Sequence, residues 1–218
     1  MAVTPGASSP NGTRRVYVRG LRGGLGGRVV ERLRELPSVE VVVASIDEPA
    51  PRDVGRCATI VDVGLADHDL LGRRGQSVTA EELLVDADTL DADQLVVVSS
   101  AMVYGALANN PIPLTEDSVL RPDPEFFSYT IAKSALWTAT QTLAQALAPR
   151  IRVNAVAPGP VLPSDKQSEA DFAAECRATL LKRGVAIDDV TAAIRFLLDT
   201  PSVTGQMIAL DSGQHLAP

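Results

Sequence analysis

Tyr129 and Lys133 stand four residues apart in Tyr129-Thr130-Ile131-Ala132-Lys133, within a stretch of helical patterning. On a helix that spacing is about one turn, so both side chains project from one face. A lysine's positive charge favours the ionised phenol, whose ordinary pKa is about 10. The tyrosine thereby becomes a usable acid or base near neutral pH. An ordinary surface pair has the same spacing, so the motif needs company. Ser99-Ser100-Ala101-Met102-Val103-Tyr104-Gly105 supplies it, directly after the apolar run Leu95 to Val98. A serine at the carboxyl end of a central strand faces the crevice where α/β sheets bind ligands. Ser100 is the candidate there, with a hydroxyl able to hydrogen-bond a substrate oxygen.

A third motif lies near the start of the chain. A strand-like run leads into Gly20-Leu21-Arg22-Gly23-Gly24-Leu25-Gly26, and a helical pattern follows. Gly20, Gly23 and Gly26 have the G-x-x-G-x-x-G spacing. Glycine permits the tight turn and lets the backbone approach a diphosphate, which the free N–H groups and dipole of the helix start then hold. The loop from Gly20 to Gly26, including Arg22, Gly24 and Leu25, is therefore the candidate cofactor-binding segment. Asp47 ends the second strand-like run, 21 residues after Gly26. An acid there can accept hydrogen bonds from the adenosine ribose and repel a 2′-phosphate, which favours NAD over NADP. Arg22 keeps NADP open.

The elements that must position these groups alternate. Strand patterns fall at 14–19, 40–46, 57–63, 94–99, 150–156 and 206–210, with helical patterns near 25–36, 78–90, 124–148, 168–182 and 187–199. Near-continuous apolar strands separated by helices predict a parallel sheet covered on both faces, the doubly wound α/β class. Between Asp47 and Cys57 there are only nine residues, rich in proline and charge. A parallel crossover usually needs a dozen or more. The expected sheet is therefore shortened by one edge strand on the adenine side.

Size and composition agree with one such domain over 14–218, preceded by a small, polar leader at 1–13 expected to be disordered. A formal charge of −7 offers no basic surface for nucleic acid or anionic lipid. No apolar run approaches the roughly 20 residues of a membrane span. Cys57 and Cys176 are far apart and outside any metal spacing, and only His68 and His215 are present, so no metal site is expected. Two unpaired thiols suit a reducing, cytoplasmic location.

With glycine loop, strand-end serine and Y-x-x-x-K in this order, the chain resembles the short-chain dehydrogenase/reductase family over nearly all its length beyond the leader. Residues 14–123 are similar to the extended, epimerase-like branch, through GGLGGRVVERL, SSAMVYG and PIPLTEDSVLRPDP. From Phe127 onward the chain looks like the single-domain, pteridine-reductase-like members, through SYTIAKSALWTATQTLAQALAPRIRVNAVAPGPVLPS and VTGQMIALDSGQHL. The resemblance implies a Rossmann fold binding NAD or NADP, with Tyr129 as proton carrier. It implies that Lys133 both tunes Tyr129 and holds the nicotinamide ribose, and that Ser100 orients the substrate. It implies too that the segment through Pro158 and Gly159 runs past the nicotinamide, with Val161 meeting its carboxamide. Arg19 departs from the family pattern, standing where threonine is usual before the first glycine. So do the missing edge strand, the lack of asparagine in the 77–90 helix and Ser212 in place of a glycine.

Three functions compete. The first is an oxidoreductase moving hydride between nicotinamide and a small carbonyl or alcohol. The second is a nucleotide-sugar epimerase or dehydratase, against which stand only about 60 residues after Gly159 for a substrate lobe. The third is a non-catalytic binder that keeps the fold. Phe127, Ile131, Leu136, Trp137, Thr140, Leu143 and Leu147 give the long helix more apolar surface than one sheet face should cover. A homodimer or homotetramer joined through the 78–90 and 125–148 helices is the expectation.

Overall fold

The computed structural model describes residues 13–19, 24–44, 54–63, 80–99, 127–163 and 167–216, with backbone alone at 80–82 and 127–134. The elements run β1 (Arg14–Arg19), α1 (Gly24–Arg34), β2 (Val39–Ala44), β3 (Thr59–Asp62), α2 (Ala80–Thr89) and β4 (Gln94–Val98). They continue with α3 (Phe127–Leu147), β5 (Arg152–Pro158), α4 (Glu169–Ala178), α5 (Ile187–Asp199) and β6 (Met207–Leu210). All six strands pair in parallel, in the order β2-β1-β3-β4-β5-β6.

Alternation along each strand divides the core into two layers. Val16, Val18, Val61, Val96, Val98 and Val156 face α1 and α5, where Leu25, Val29, Leu33, Val190, Ile194 and Leu197 close the layer. Tyr17, Ile60, Leu95, Val97 and Val153 point the other way, against Leu83 and Ala87 of α2, Leu90 just after it and Ala144 of α3. This is the doubly wound α/β architecture. After β2 the chain crosses to the far side of β1, so among the described residues β2 is one edge. That agrees with a sheet one strand short. The reversal of strand order falls between β1 and β3, the place where such sheets open a ligand crevice.

Some boundaries move. The fifth strand lies at Arg152–Pro158 rather than 150–156. Its end is drawn out because Pro158 pairs with Leu210 and the Gly159 N–H donates to the Leu210 carbonyl at 3.0 Å. The helix expected to reach 182 stops at Ala178, where Thr179 turns extended. The Thr179 hydroxyl donates to the carbonyls of Cys176 and Arg183 and accepts from the Arg183 N–H, which closes the chain into a turn.

Trp137 requires a correction. It is 3% exposed and buried within the single chain, as is Thr140. Leu136, Leu143 and Leu147 pack on the same sheet face, while Ala135, Thr138, Gln141, Thr142 and Gln145 face outward. Over this half of α3 the large apolar residues are buried or half-buried within the chain, and the outer face is small and polar. Among the described residues no helix is long and apolar enough to cross a membrane.

Candidate functional site

The described part of the site is the carboxyl edge of the sheet. β1 ends at Arg19, and helix α1 begins at Gly24, whose φ of +48° lies in the left-handed region that glycine favours. The first turn of α1 carries no acidic side chain. Leu25 and Gly26 are buried there, so the backbone rather than the Leu25 side chain is what this helix start offers. An N-terminus of this kind, close to the reversal of strand order, fits the diphosphate of a dinucleotide. Gly20, Arg22, Gly23 and Asp47 lie outside the described residues, as does Ser100.

Arg19 points to the α2 side of the sheet, away from α1. Its Nη1 lies 2.8 Å from Asp86 Oδ2, and both side chains are 2% exposed. Asp62 is the register partner of Arg19 on β3 and is fully buried. The signal for this cluster was present in the sequence: charges close the apolar runs VYVR and TIVD, and Asp86 shares a helical stripe with Leu83, Ala87 and Leu90. Ser99, just beyond β4, is held by its N–H to the Val156 carbonyl at 2.6 Å. Its hydroxyl is buried and has no partner among the described residues.

Helix α3 connects two parallel strands, so it runs antiparallel to them and its first turns lie at their carboxyl ends. Residues 129 and 133 fall in those turns, four positions apart, on the layer of the sheet that Ser99 also faces.

Pro158 and Gly159 end β5 beside β6. Pro158 is buried, and Val161 packs against the core layer of α1 and α5. Asn154 is committed to structure: its side chain donates to the Val203 carbonyl at 3.1 Å and accepts from the Gln206 N–H at 3.1 Å. Past β6, Asp211 accepts from the Gly213 and His215 N–H groups at 3.0 and 2.8 Å, and its Oδ2 lies 2.5 Å from His215 Nδ1. Burial pushes the Asp211 carboxyl up, but the hydrogen bonds and charge of His215 and the Gly213 amide outweigh it and hold it below its ordinary value. Glu175 accepts from Gln167 at 2.9 Å and Gln214 at 3.2 Å, tying α4 over this edge. Cys57 and Cys176 are both free thiols, each pushed up chiefly by burial.

The short-chain dehydrogenase/reductase homolog YusR of Bacillus subtilis is 42% identical over 89 residues, which span 40% of this chain and 69% of YusR. The chain belongs to the short-chain dehydrogenase/reductase family. A family model described as enoyl-(acyl carrier protein) reductase matches residues 112–215 of this family member. Dihydromonapterin reductase of Citrobacter koseri is 31% identical over 114 residues, 52% of this chain and 47% of that protein. The match thus spans about half the length of that relative. Among solved short-chain dehydrogenase/reductase structures, FolM alternative dihydrofolate reductase 1 from Brucella canis, complexed with NADP, covers 95% of this chain and 96% of its own. Its TM-score is 0.68 and its identity 28%. The likeness of residues 14–123 to the epimerase-like branch rests on their motifs alone.

Proposed function

We propose that residues 14–218 form one nicotinamide-binding domain that acts as an NADP(H)-dependent oxidoreductase on a small carbonyl or alcohol. The observation that carries this reading is the likeness along 95% of the chain to a relative complexed with NADP. It favours NADP over the NAD that Asp47 suggests. The start of α1 binds the diphosphate through Gly23, Gly24 and Gly26, with Gly20, Arg22 and Leu25 completing the loop and Asp47 near the adenosine ribose. Pro158, Gly159 and Val161 border the nicotinamide.

When bound, the cofactor supplies or accepts a hydride at the substrate carbon. Ser100 donates a hydrogen bond to the substrate oxygen and fixes its direction. Tyr129 would give its proton to that oxygen in reduction, completing the hydroxyl of the CH–OH product, and would take it back in oxidation. Lys133 lowers the phenol's pKa by its charge and holds the ribose. The names of the pterin-reducing relatives make a dihydropterin the first alternative substrate. A cytoplasmic homodimer or homotetramer belongs to the same reading.

Calorimetric titration with NAD⁺, NADH, NADP⁺ and NADPH tests it, followed by NADPH consumption with a panel of ketones, aldehydes and dihydropterins. Tightest binding of NADPH and turnover with one of these classes are expected. A folded chain that binds none of the four nucleotides is a non-catalytic member of the fold, and the proposal falls.

A further inference from the structure

The ion pair of Arg19 and Asp86 lies directly beneath the reversal of strand order, yet solvent does not reach it. Arg19 is the last residue of β1, and its two ends are held separately. The carbonyl accepts from the Val63 N–H at 2.9 Å, and the guanidinium reaches Asp86 at 2.8 Å. Asp62 stands level with Arg19 on the next strand, its side chain on the same face and fully buried. One arginine therefore sits with two carboxylates from β3 and α2 in a region otherwise lined by Tyr17, Ile60, Leu83 and Val97.

A buried ion pair contributes little net stability compared with apolar residues of similar volume, because desolvating both charges offsets their attraction. What a planar guanidinium between carboxylates does well is fix direction. The direction fixed here is that of the β1 carboxyl end, from which the chain passes to the helix start at Gly24. We propose that Arg19 is a positioning residue for the cofactor. Together with Asp62 and Asp86 it sets the end of β1 relative to α1, so nucleotide affinity depends on a cluster the nucleotide does not contact. The inference rests on the nicotinamide-binding reading above.

The test compares the native chain with Arg19→Met/Asp62→Asn/Asp86→Leu, which removes all three charges together, and with Arg19→Lys, which keeps one charge but loses the fork. NADPH affinity and the urea midpoint are measured for each. The triple variant is expected to keep a midpoint at or above the native one while its Kd for NADPH rises about tenfold or more, a loss of about 1.4 kcal/mol of binding. Arg19→Lys is expected to fold and to fall between the two in Kd. A purely structural cluster gives the reverse, a lowered midpoint with unchanged Kd, and overturns the inference. If the triple variant does not fold, a native Kd in Arg19→Lys overturns it equally. A native chain that binds no NADPH is a different result: it removes the cofactor reading itself, and this inference with it.

Discussion

Gly159 and Asp211 approach so closely that a Cβ on Gly159 would lie 2.8 Å from both Cα and Cβ of Asp211. The contact is between strand ends, where β5 and β6 finish side by side, and backbone cannot retreat as a flexible side chain can. Glycine is therefore required here by packing, whatever the cofactor asks of it. Gly159→Ala is expected to cost roughly 1–3 kcal/mol, the range for overpacking a close contact. Urea denaturation without nucleotide measures it; an unchanged midpoint would mean that the Asp211 turn yields freely.

Asp211 sets an acid limit on stability. Its carboxyl is held below its ordinary value, so the folded state favours the ionised form and the unfolded state binds the proton more readily. The stabilisation is present in full above the unfolded aspartate value of about 3.9 and is lost as pH falls towards the lower folded value. Native protein should lose stability across that interval more steeply than Asp211→Asn. Equal slopes in urea midpoints measured from pH 5 downward would contradict the assignment.

Trp137 is the only tryptophan, and it is buried inside the chain. Its fluorescence reports folding rather than assembly. Trp137→Ala should cost roughly 3–5 kcal/mol, as for other large core truncations. Dilution that dissociates the proposed oligomer, followed by light scattering, should leave the emission maximum where it is. A red shift on dissociation would show that this part of α3 opens to solvent when subunits part.

The proposed proton carrier has a sharper test. Tyr129→Phe keeps the ring and removes the ionisable proton, so turnover should fall by roughly 10²–10⁴-fold with little change in the unfolding midpoint. Lys133→Met should move the alkaline limb of the pH–rate profile to higher pH, because the charge favouring the phenolate is gone, and should also weaken NADPH binding. Unchanged turnover in Tyr129→Phe would assign the proton to another group.

Much of this molecule is legible along the chain because the governing physics is local. Near-continuous apolar runs such as Val16 to Val18 and Leu95 to Val98 mark strands buried on both faces, the stripe of Val29, Val30 and Leu33 marks a helix, and their order implies a parallel sheet. The spacing of Tyr129 and Lys133 places them a turn apart on any helix. The short segment after Asp47 signals the narrowed sheet by reach alone. Strand ends were harder to read, since Pro158 belongs to β5 only because Leu210 lies opposite it.

Where side chains go at the carboxyl edge was decided by tertiary structure. By position Arg19 stands directly before the glycine loop, yet strand register sends its side chain to the face away from α1, and α2 brings Asp86 to meet it. Asn154 lies on the strand that leads to Pro158 and Gly159, and its amide is used on Val203 and Gln206, about 50 residues further on. Trp137 looked like part of an outward apolar face of its helix, and it is buried within the chain instead. Sequence alone determined the elements, their order and the spacing of the reactive groups, because periodicity and chain reach act within one segment. Tertiary structure decided which buried charges, amides and glycines face one another, because those contacts depend on the register between strands distant in sequence.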